Sequence, residues 1–510
     1  MQLRELLSEV ADAQVVGRAE TDITGVEHDS RKTLPGSLFV CIRGFQQDGH
    51  AFIADAVARG SVAVVIEDDP ARFRVPAGVT IIRVPNSRSA LAHLAARFFA
   101  HPSRQLRLVG VTGTNGKTTT AHLVESILRA AGHRVGLLGT IEYRCGAATF
   151  LGERTTPEAS DLQRLLGRMR DIGAWGAAME VSSHSLMLHR VEACEFDVAV
   201  FTNLTQDHLD FHGTWVRFAE AKARLFQGLA RDRIKPGVAA AVLNADDPWA
   251  GFMAGQTAAR VVRFGLTSPA EIRPRETQFD LAGIRAAVES PWGSFDVVSA
   301  LVGRHNLANI LGAAGACLHL GIPRSVVEAG IANLAAVPGR FEKVEAGQPF
   351  GVVVDYAHTP DALERILTFA REYARGRLLV VFGCGGDRDR GKRPRMGDVA
   401  ARLADLLFLT SDNPRSEEPG FILKEIASGI KKTFADGKGH ATIPDRREAI
   451  GAALANARGG DLVVIAGKGH ETYQILRDRT IPFDDRVVAR EALTALGYGV
   501  PGRGSLTGDR

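Results

Sequence analysis

Between an apolar run at 106–111 and a helical apolar pattern at 118–131, the chain reads Gly113-Thr114-Asn115-Gly116-Lys117-Thr118-Thr119. A strand that enters a Gly-rich turn and leaves as a helix confines its surroundings to a parallel α/β unit, with an anion site at the helix N-terminus. Glycines at 113 and 116 let backbone N–H groups approach phosphate oxygens. Lys117 can neutralise the β- and γ-phosphates, and the Thr118 hydroxyl suits Mg2+. The full eight-residue phosphate-loop pattern is not met, because Val111 stands at its first glycine. The shorter G-x-x-G-K-T remains, and its place between strand and helix makes a turn with a merely solvated lysine a poor account of it. A guanine-specific switch would need Asn-[Lys/Thr]-x-Asp. Asn244-Ala245-Asp246-Asp247 lacks the second residue, so adenine, and with it ATP, is expected.

Further apolar runs at 198–201 and 239–243, separated by helix-like segments such as 215–229, extend the first into a mostly parallel sheet with helices packed on it. Before it, strands at 37–42 and 62–66 around a helix at 51–59 form an independent α/β pattern. After Val337-Pro338-Gly339, strand candidates at 352–354, 378–382, 406–409 and 462–466 alternate with helices, as in a doubly wound Rossmann-like sheet. The expected organisation is therefore α/β in three domains: 1–105, 106–336 and 337–500, with a disordered tail at 501–510. A length of 510 residues agrees, at about 150 residues per domain.

With 62 basic and 58 acidic residues the formal charge is only +4, so nucleic-acid or membrane-surface binding finds no support and small-molecule partners are expected. The first ten residues lack a basic segment followed by an apolar block, so no signal peptide is expected, and no apolar run reaches membrane-spanning length. Five scattered cysteines, at 41, 145, 194, 317 and 384, suit neither a disulfide framework nor a zinc site, so a cytoplasmic location is expected.

Glu180, in Met179-Glu180-Val181-Ser182-Ser183-His184, follows an apolar stretch and would sit at a strand end, where a carboxylate suits Mg2+. His208 follows the 198–201 strand; imidazole matches Mg2+ poorly, and chemistry alone does not make it a ligand. In the last domain three polar loops lie at strand carboxyl ends: 383–393, Asp412-Asn413-Pro414-Arg415, and Gly467-Lys468-Gly469-His470-Glu471. Ligands bind beyond such ends. Arg388 and Arg415, from different loops, can each fork a carboxylate, and Glu471 can pair with an ammonium, whereas Arg390 and Arg395 read as solvated. The ligand suggested has more than one carboxylate and an amine. Asp355 could hydrogen-bond a ribose, although a helix N-cap is the default for an Asp there.

Taken together, 113–119, Thr155-Thr156-Pro157, 180–184, 203–208, Gly303-Arg304-His305-Asn306, Pro338-Gly339-Arg340-Phe341, 355–358 and 412–415 resemble the bacterial Mur ligases, ATP-dependent amide-forming enzymes of peptidoglycan precursor synthesis. The resemblance is strongest to the activity that adds meso-diaminopimelate to UDP-N-acetylmuramoyl-L-alanyl-D-glutamate. It implies that Ser30, Phe45, Gln46 and Gln47 hold the uridine end, and that Thr155, Thr156, Ser182 and Arg190 hold the muramoyl dipeptide. Leu188 departs from the pattern, standing where relatives often carry glutamine. The resemblance further implies that Thr118, Glu180 and His208 serve Mg2+, with Lys222 as a carbamylated lysine, whose anionic oxygens would suit that ion. Catalysis then falls to Lys117, Lys222 and His208. Asn306, Arg340 and Asp355 match nucleotide-contacting positions, and Arg388, Asp412, Asn413, Pro414, Arg415, Gly467 and Glu471 match the diaminopimelate site. Lysine-adding relatives lack the arginine found at 415. A monomer is expected.

Two rivals make different predictions. A folylpolyglutamate synthetase shares the ligase chemistry but has no uridine-binding first domain, whereas residues 1–105 are present and carry Asp29-Ser30-Arg31. A non-catalytic nucleotide-binding regulator would need no amino-acid site.

Overall fold

The computed structural model describes residues 1–45, 47–152, 154–205, 209–230, 233–430 and 439–499. The expected tail at 501–510 therefore lies outside the described residues. The fold is α/β, with three separate, mostly parallel sheets along the chain. By contacts it divides into two compact units. The first comprises Met1–Gln278, Arg285–Ser299 and Arg304–Leu334; the second comprises residues 279–284, 300–303 and the chain from 335 on. The N-terminal and central sheets thus share one unit.

The N-terminal sheet has five strands in the order Gln14–Val16, Thr80–Arg83, Ala63–Ile66, Ser37–Val40, Gly25–Glu27, parallel except at Gln14–Val16. Helix Ser87–Phe98 starts where the Asn86 side chain accepts from the N–H groups of Arg88 and Ser89, and it buries Leu91, Leu94 and Ala95 against the sheet.

The central sheet runs Arg260–Phe264, Ala240–Asn244, Val198–Phe201, Arg107–Thr112, Gly176–Glu180, Val135–Leu138, and then two antiparallel strands, Glu142–Cys145 and Ala148–Leu151. Its parallel strands are covered on both faces, so they read as continuous apolar runs with no alternation. Arg107–Thr112 lies between Gly176–Glu180 and Val198–Phe201, so the carboxyl ends of all three open on one edge. Helix Lys117–Ala130 buries Leu123, Val124, Ile127 and Leu128. A three-stranded antiparallel meander, Arg273–Asp280, Gly283–Glu289 and Phe295–Ser299, has no counterpart in the sequence expectation. Its first strand is solvated on both faces, so it carries neither an apolar run nor an alternation.

The second unit holds a six-stranded sheet in the order Glu342–Lys343, Gly351–Asp355, Leu462–Ala466, Leu378–Phe382, Leu406–Leu409, His440–Thr442, parallel except at the first strand. Three of these strands have the bounds read from sequence, and they are neighbours. Behind their carboxyl ends Arg446 and Asp485, both 0% exposed, form a two-point ion pair at 2.7 Å through Nε and Nη2. Arg446 Nη2 also donates to Ala466 O at 3.0 Å. Arg446→Ala would strand the Asp485 carboxylate in the interior, at a cost of about 3–5 kcal/mol. Denaturant melting should show that loss, and a midpoint equal to wild type would contradict it.

Candidate active site

The phosphate loop is tied to the end of the neighbouring strand. Thr114 N–H donates to Asn203 O at 2.8 Å, Asn115 N–H to Asn203 Oδ1 at 3.0 Å, and Thr202 Oγ1 to Asn115 O at 2.6 Å. Gly113 and Gly116 sit at φ +150° and +86°, and a Cβ at either would lie 1.9 Å from Thr202 Oγ1 or 2.3 Å from Asn309 Oδ1. Only glycine fits both places. Lys117 Nζ folds back over the loop, donating to Gly113 O at 2.9 Å and Thr114 O at 2.8 Å.

Glu180, 1% exposed, closes the adjacent strand. Its Oε2 accepts from Thr118 Oγ1 at 3.1 Å and Thr140 Oγ1 at 3.2 Å, and its Oε1 from Thr140 N–H at 2.8 Å. A buried carboxylate beside a hydroxyl is an all-oxygen donor set, and it fits a hard divalent cation. Lys222, 2% exposed on helix Trp215–Gln227, donates to Gly113 O at 2.8 Å and lies 4.5 Å from the Phe218 ring centroid. As an amine it is a donor; only a carbamate would give it ligand oxygens. His208 lies outside the described residues. Among the described residues no cluster of three His, Cys, Asp or Glu is arranged for a metal.

The dipeptide-binding expectations fall around the same carboxylate. Thr155 Oγ1 is 3.1 Å from Thr140 Oγ1, Thr156 Oγ1 donates to Glu180 O at 2.9 Å, and Ser182 N–H donates to Thr156 Oγ1 at 3.2 Å. Arg190 donates to Thr156 O at 3.1 Å and pairs with Glu158 at 2.7 Å. Burial holds the Arg190 pKa below the usual guanidinium range, against the opposing pull of Glu158. Leu188 adds only its backbone N–H, donated to His184 O at 2.8 Å.

In the same unit a cavity of about 880 Å³ is lined by Ser30 and Gln47 together with Arg31, Lys32, Arg154, Arg164 and Arg168. Asp29, Asp55, Glu158 and Asp161 line it too, and Arg31, Lys32 and Arg164 pair with carboxylates, which leaves Arg154 and Arg168 as the lining cations with no ion pair among the described residues. Ser30 Oγ donates to Asp55 Oδ2 at 2.9 Å. Phe45, 74% exposed, instead sets its edge against Phe211 at 5.7 Å, and Gln46 lies outside the described residues.

In the second unit the three loops read from sequence meet. Gly385 is overhung by both arginines, since a Cβ there would lie 2.9 Å from Arg415 Nη1 and 3.7 Å from Arg388 Cγ. Arg415 takes φ +52° and is held by its N–H to Ile475 O at 3.1 Å and by Nη1 to Gly386 O at 2.9 Å. Pro414 O and Asp412 Oδ2 lie 1.9 Å and 2.6 Å from where Cβ atoms of Gly386 and Gly467 would stand. Asn413 Nδ2 donates to Glu471 Oε2 at 2.9 Å. Arg388 is exposed and donates only to Asp387 O, at 3.1 Å. Arg390 pairs with Glu425 at the surface, in keeping with its solvated reading.

Asp355 is not the N-cap. Thr359 caps helix Pro360–Tyr373, while Asp355 accepts from Phe341 N–H at 2.8 Å and Ala357 N–H at 2.9 Å. Burial raises its carboxyl pKa, with Arg340 opposing. Arg340 lies 5.3 Å from the Tyr356 ring, which in turn lies 4.8 Å from His470. In the first unit, Asn306 is buried and accepts from Asn309 Nδ2 at 3.2 Å.

Sequence reading missed Asn309, Thr140 and three of the cavity arginines, Arg154, Arg164 and Arg168. Asn309 had a signal, one helical turn after Asn306 on the same face. Thr140 had none, because only pairing across the sheet brings it to Glu180.

These features define an ATP-dependent amide-forming ligase, and the comparisons agree: the chain belongs to the Mur ligase family. The middle-domain model matches residues 111–317, the glutamate ligase domain 339–469 and the family's catalytic domain 22–99. Within that family it is similar to the UDP-N-acetylmuramoyl-L-alanyl-D-glutamate--2,6-diaminopimelate ligase of Geobacillus thermodenitrificans, 46% identical over 97% of this chain and 99% of that one. The Solibacter usitatus protein of the same name is 46% identical over 98% and 99% of the two chains. A solved structure of a ligase with that name aligns with a TM-score of 0.70 and 35% identity, covering 98% of this chain and 99% of the other. No helix among the described residues is long and apolar enough to cross a membrane.

Proposed function

We propose that this chain joins meso-2,6-diaminopimelate to the γ-carboxylate of D-glutamate in UDP-N-acetylmuramoyl-L-alanyl-D-glutamate, with ATP going to ADP and phosphate, as a step of peptidoglycan precursor synthesis. The observation that carries the reading is the cluster at three neighbouring strand ends of the second unit. A carboxylate reader, Arg415, stands with two ammonium readers, Asp412 and Glu471. An amino acid with an extra carboxylate and an extra amine at its far end matches that set.

Residues 1–105 and the cavity beside Ser30 serve the UDP end, residues 106–336 bind ATP and the dipeptide, and residues 337–500 hold diaminopimelate. Lys117 and the loop N–H groups place the γ-phosphoryl group beside the dipeptide carboxylate, whose oxygen attacks phosphorus and releases ADP. The diaminopimelate amine then attacks the acyl phosphate carbon, phosphate leaves with the C–O electron pair, and the amine proton is lost as the amide forms. Most of this catalysis is positioning and charge stabilisation. Asn306, Arg340 and Asp355 are assigned to the nucleoside of ATP. Thr118, Glu180, His208 and a carbamylated Lys222 would hold Mg2+, which supplies charge neutralisation at the phosphates. The enzyme acts as a cytoplasmic monomer.

The N-terminal sheet and the cavity beside Ser30 favour this reading over a folylpolyglutamate synthetase, and the amino-acid cluster favours it over a regulator. Incubation with ATP, the UDP-linked dipeptide and diaminopimelate should yield a product heavier by one diaminopimelate residue, with one phosphate released per product. Phosphate released without that product would refute the ligase reading. Intact-protein mass spectrometry under bicarbonate should show one CO2 added at Lys222.

A further inference from the structure

Lys468 is 0% exposed, although it lies in a Gly-Lys-Gly-His loop where a lysine would ordinarily be solvated. Its Nζ donates to Glu471 Oε2 at 3.0 Å and to Asn413 Oδ1 at 3.2 Å, and it stands 5.7 Å from the Tyr473 ring centroid. Both side-chain donors to Glu471 among the described residues, Lys468 Nζ and Asn413 Nδ2, reach the same oxygen, Oε2. Among the described residues no side chain donates to Oε1. Asn413 is fixed from the other side, where Ile475 N–H donates to its Oδ1 at 2.9 Å. The carboxylate is thus clamped through one oxygen, leaving the other to be presented.

We propose that Lys468 is a positioning and specificity-determining residue for the amino-acid substrate: it locks the Glu471 carboxylate in the rotamer that offers Oε1 to the substrate's ammonium group. The inference rests on the diaminopimelate reading of this cluster. A buried ammonium is retained only where its hydrogen bonds compensate its lost hydration. Here both hydrogen bonds end on residues of the substrate site, so the effect of the lysine on the substrate runs through them. A lysine that only filled space would be replaced by methionine with little effect on substrate affinity. A lysine that sets a carboxylate must act on the KM for that substrate and leave the other substrates alone.

The test is a double-mutant cycle on the full-length enzyme, with Lys468→Met, Glu471→Gln and the pair, and with Lys468→Arg as the conservative variant. Lys468→Met should raise KM for diaminopimelate about 10- to 100-fold, with kcat and the KM values for ATP and the UDP-linked dipeptide within about threefold of wild type. Lys468→Arg should recover part of that loss. In the Glu471→Gln background, Lys468→Met should add less than threefold, because both act through one carboxylate. Additive effects, or an unchanged KM in Lys468→Met, would overturn the proposal. So would a uniform fall in kcat and melting temperature with KM preserved. Should the methionine variant not accumulate, Lys468→Arg and Lys468→Gln carry the same cycle. If Glu471→Gln itself leaves KM unchanged, the amino-acid site has been misassigned. If Glu471→Gln raises KM and Lys468→Met does not, only the clamp is wrong.

Discussion

Replacing Lys117 by alanine should lower kcat for ATP-dependent amide formation by roughly 10³-fold, the upper end of what one lost charge-stabilising donor costs. The ammonium stands over the phosphate cradle, 2.9 Å and 2.8 Å from the carbonyls of Gly113 and Thr114, where bound γ-phosphate oxygens would take over its hydrogen bonds. Lys117 opens helix Lys117–Ala130 and is only half-buried, and alanine is the best helix former, so the fold should survive the substitution. Single-turnover phosphate release, read beside a melting curve, separates the two effects. Turnover within threefold of wild type would remove the loop from the chemistry.

The second large effect belongs to Arg415. Arg415→Ala should raise KM for diaminopimelate with kcat little changed, because in the proposed site the guanidinium would hold the substrate's distant carboxylate in the ground state and the transition state alike. The loss of one partner of a buried charge pair costs about 2–5 kcal/mol. Arg415 is half-buried here, so the lower part of that range applies: about 2–3 kcal/mol, or roughly 30- to 150-fold in KM. The backbone at 415 has φ +52°, and alanine leaves that strain in place, so the change in KM isolates the side chain. An unchanged KM in steady-state assays would take Arg415 out of the site.

How legible a feature is in the sequence depends on how locally it is encoded. The strands at 378–382, 406–409 and 462–466 were legible to the residue, because a parallel strand covered on both faces is a short apolar run that polar loops end sharply. Their carboxyl ends were enough to bring Asp412, Arg415 and Glu471 into one site. The Arg273–Asp280 strand escaped, since a solvated strand leaves no hydrophobic pattern. Thr140 and Lys468 escaped for a different reason. Each looks like a surface polar residue until tertiary contacts place it 2.8 Å from Glu180 and 3.0 Å from Glu471. The Asp355 N-cap reading failed because two backbone N–H groups had already claimed the carboxylate, leaving Thr359 to cap the helix.

The central claim is that the second unit selects an amino acid with a second carboxylate. Its most direct measurement is phosphate release with ATP and UDP-N-acetylmuramoyl-L-alanyl-D-glutamate, comparing meso-diaminopimelate with L-lysine. The account predicts kcat/KM for diaminopimelate about 10²-fold or more above that for lysine, the value of the ion pair lysine cannot make with Arg415. That preference should collapse in Arg415→Ala. Equal use of the two amino acids by the wild-type enzyme, or a preference for lysine, would contradict it.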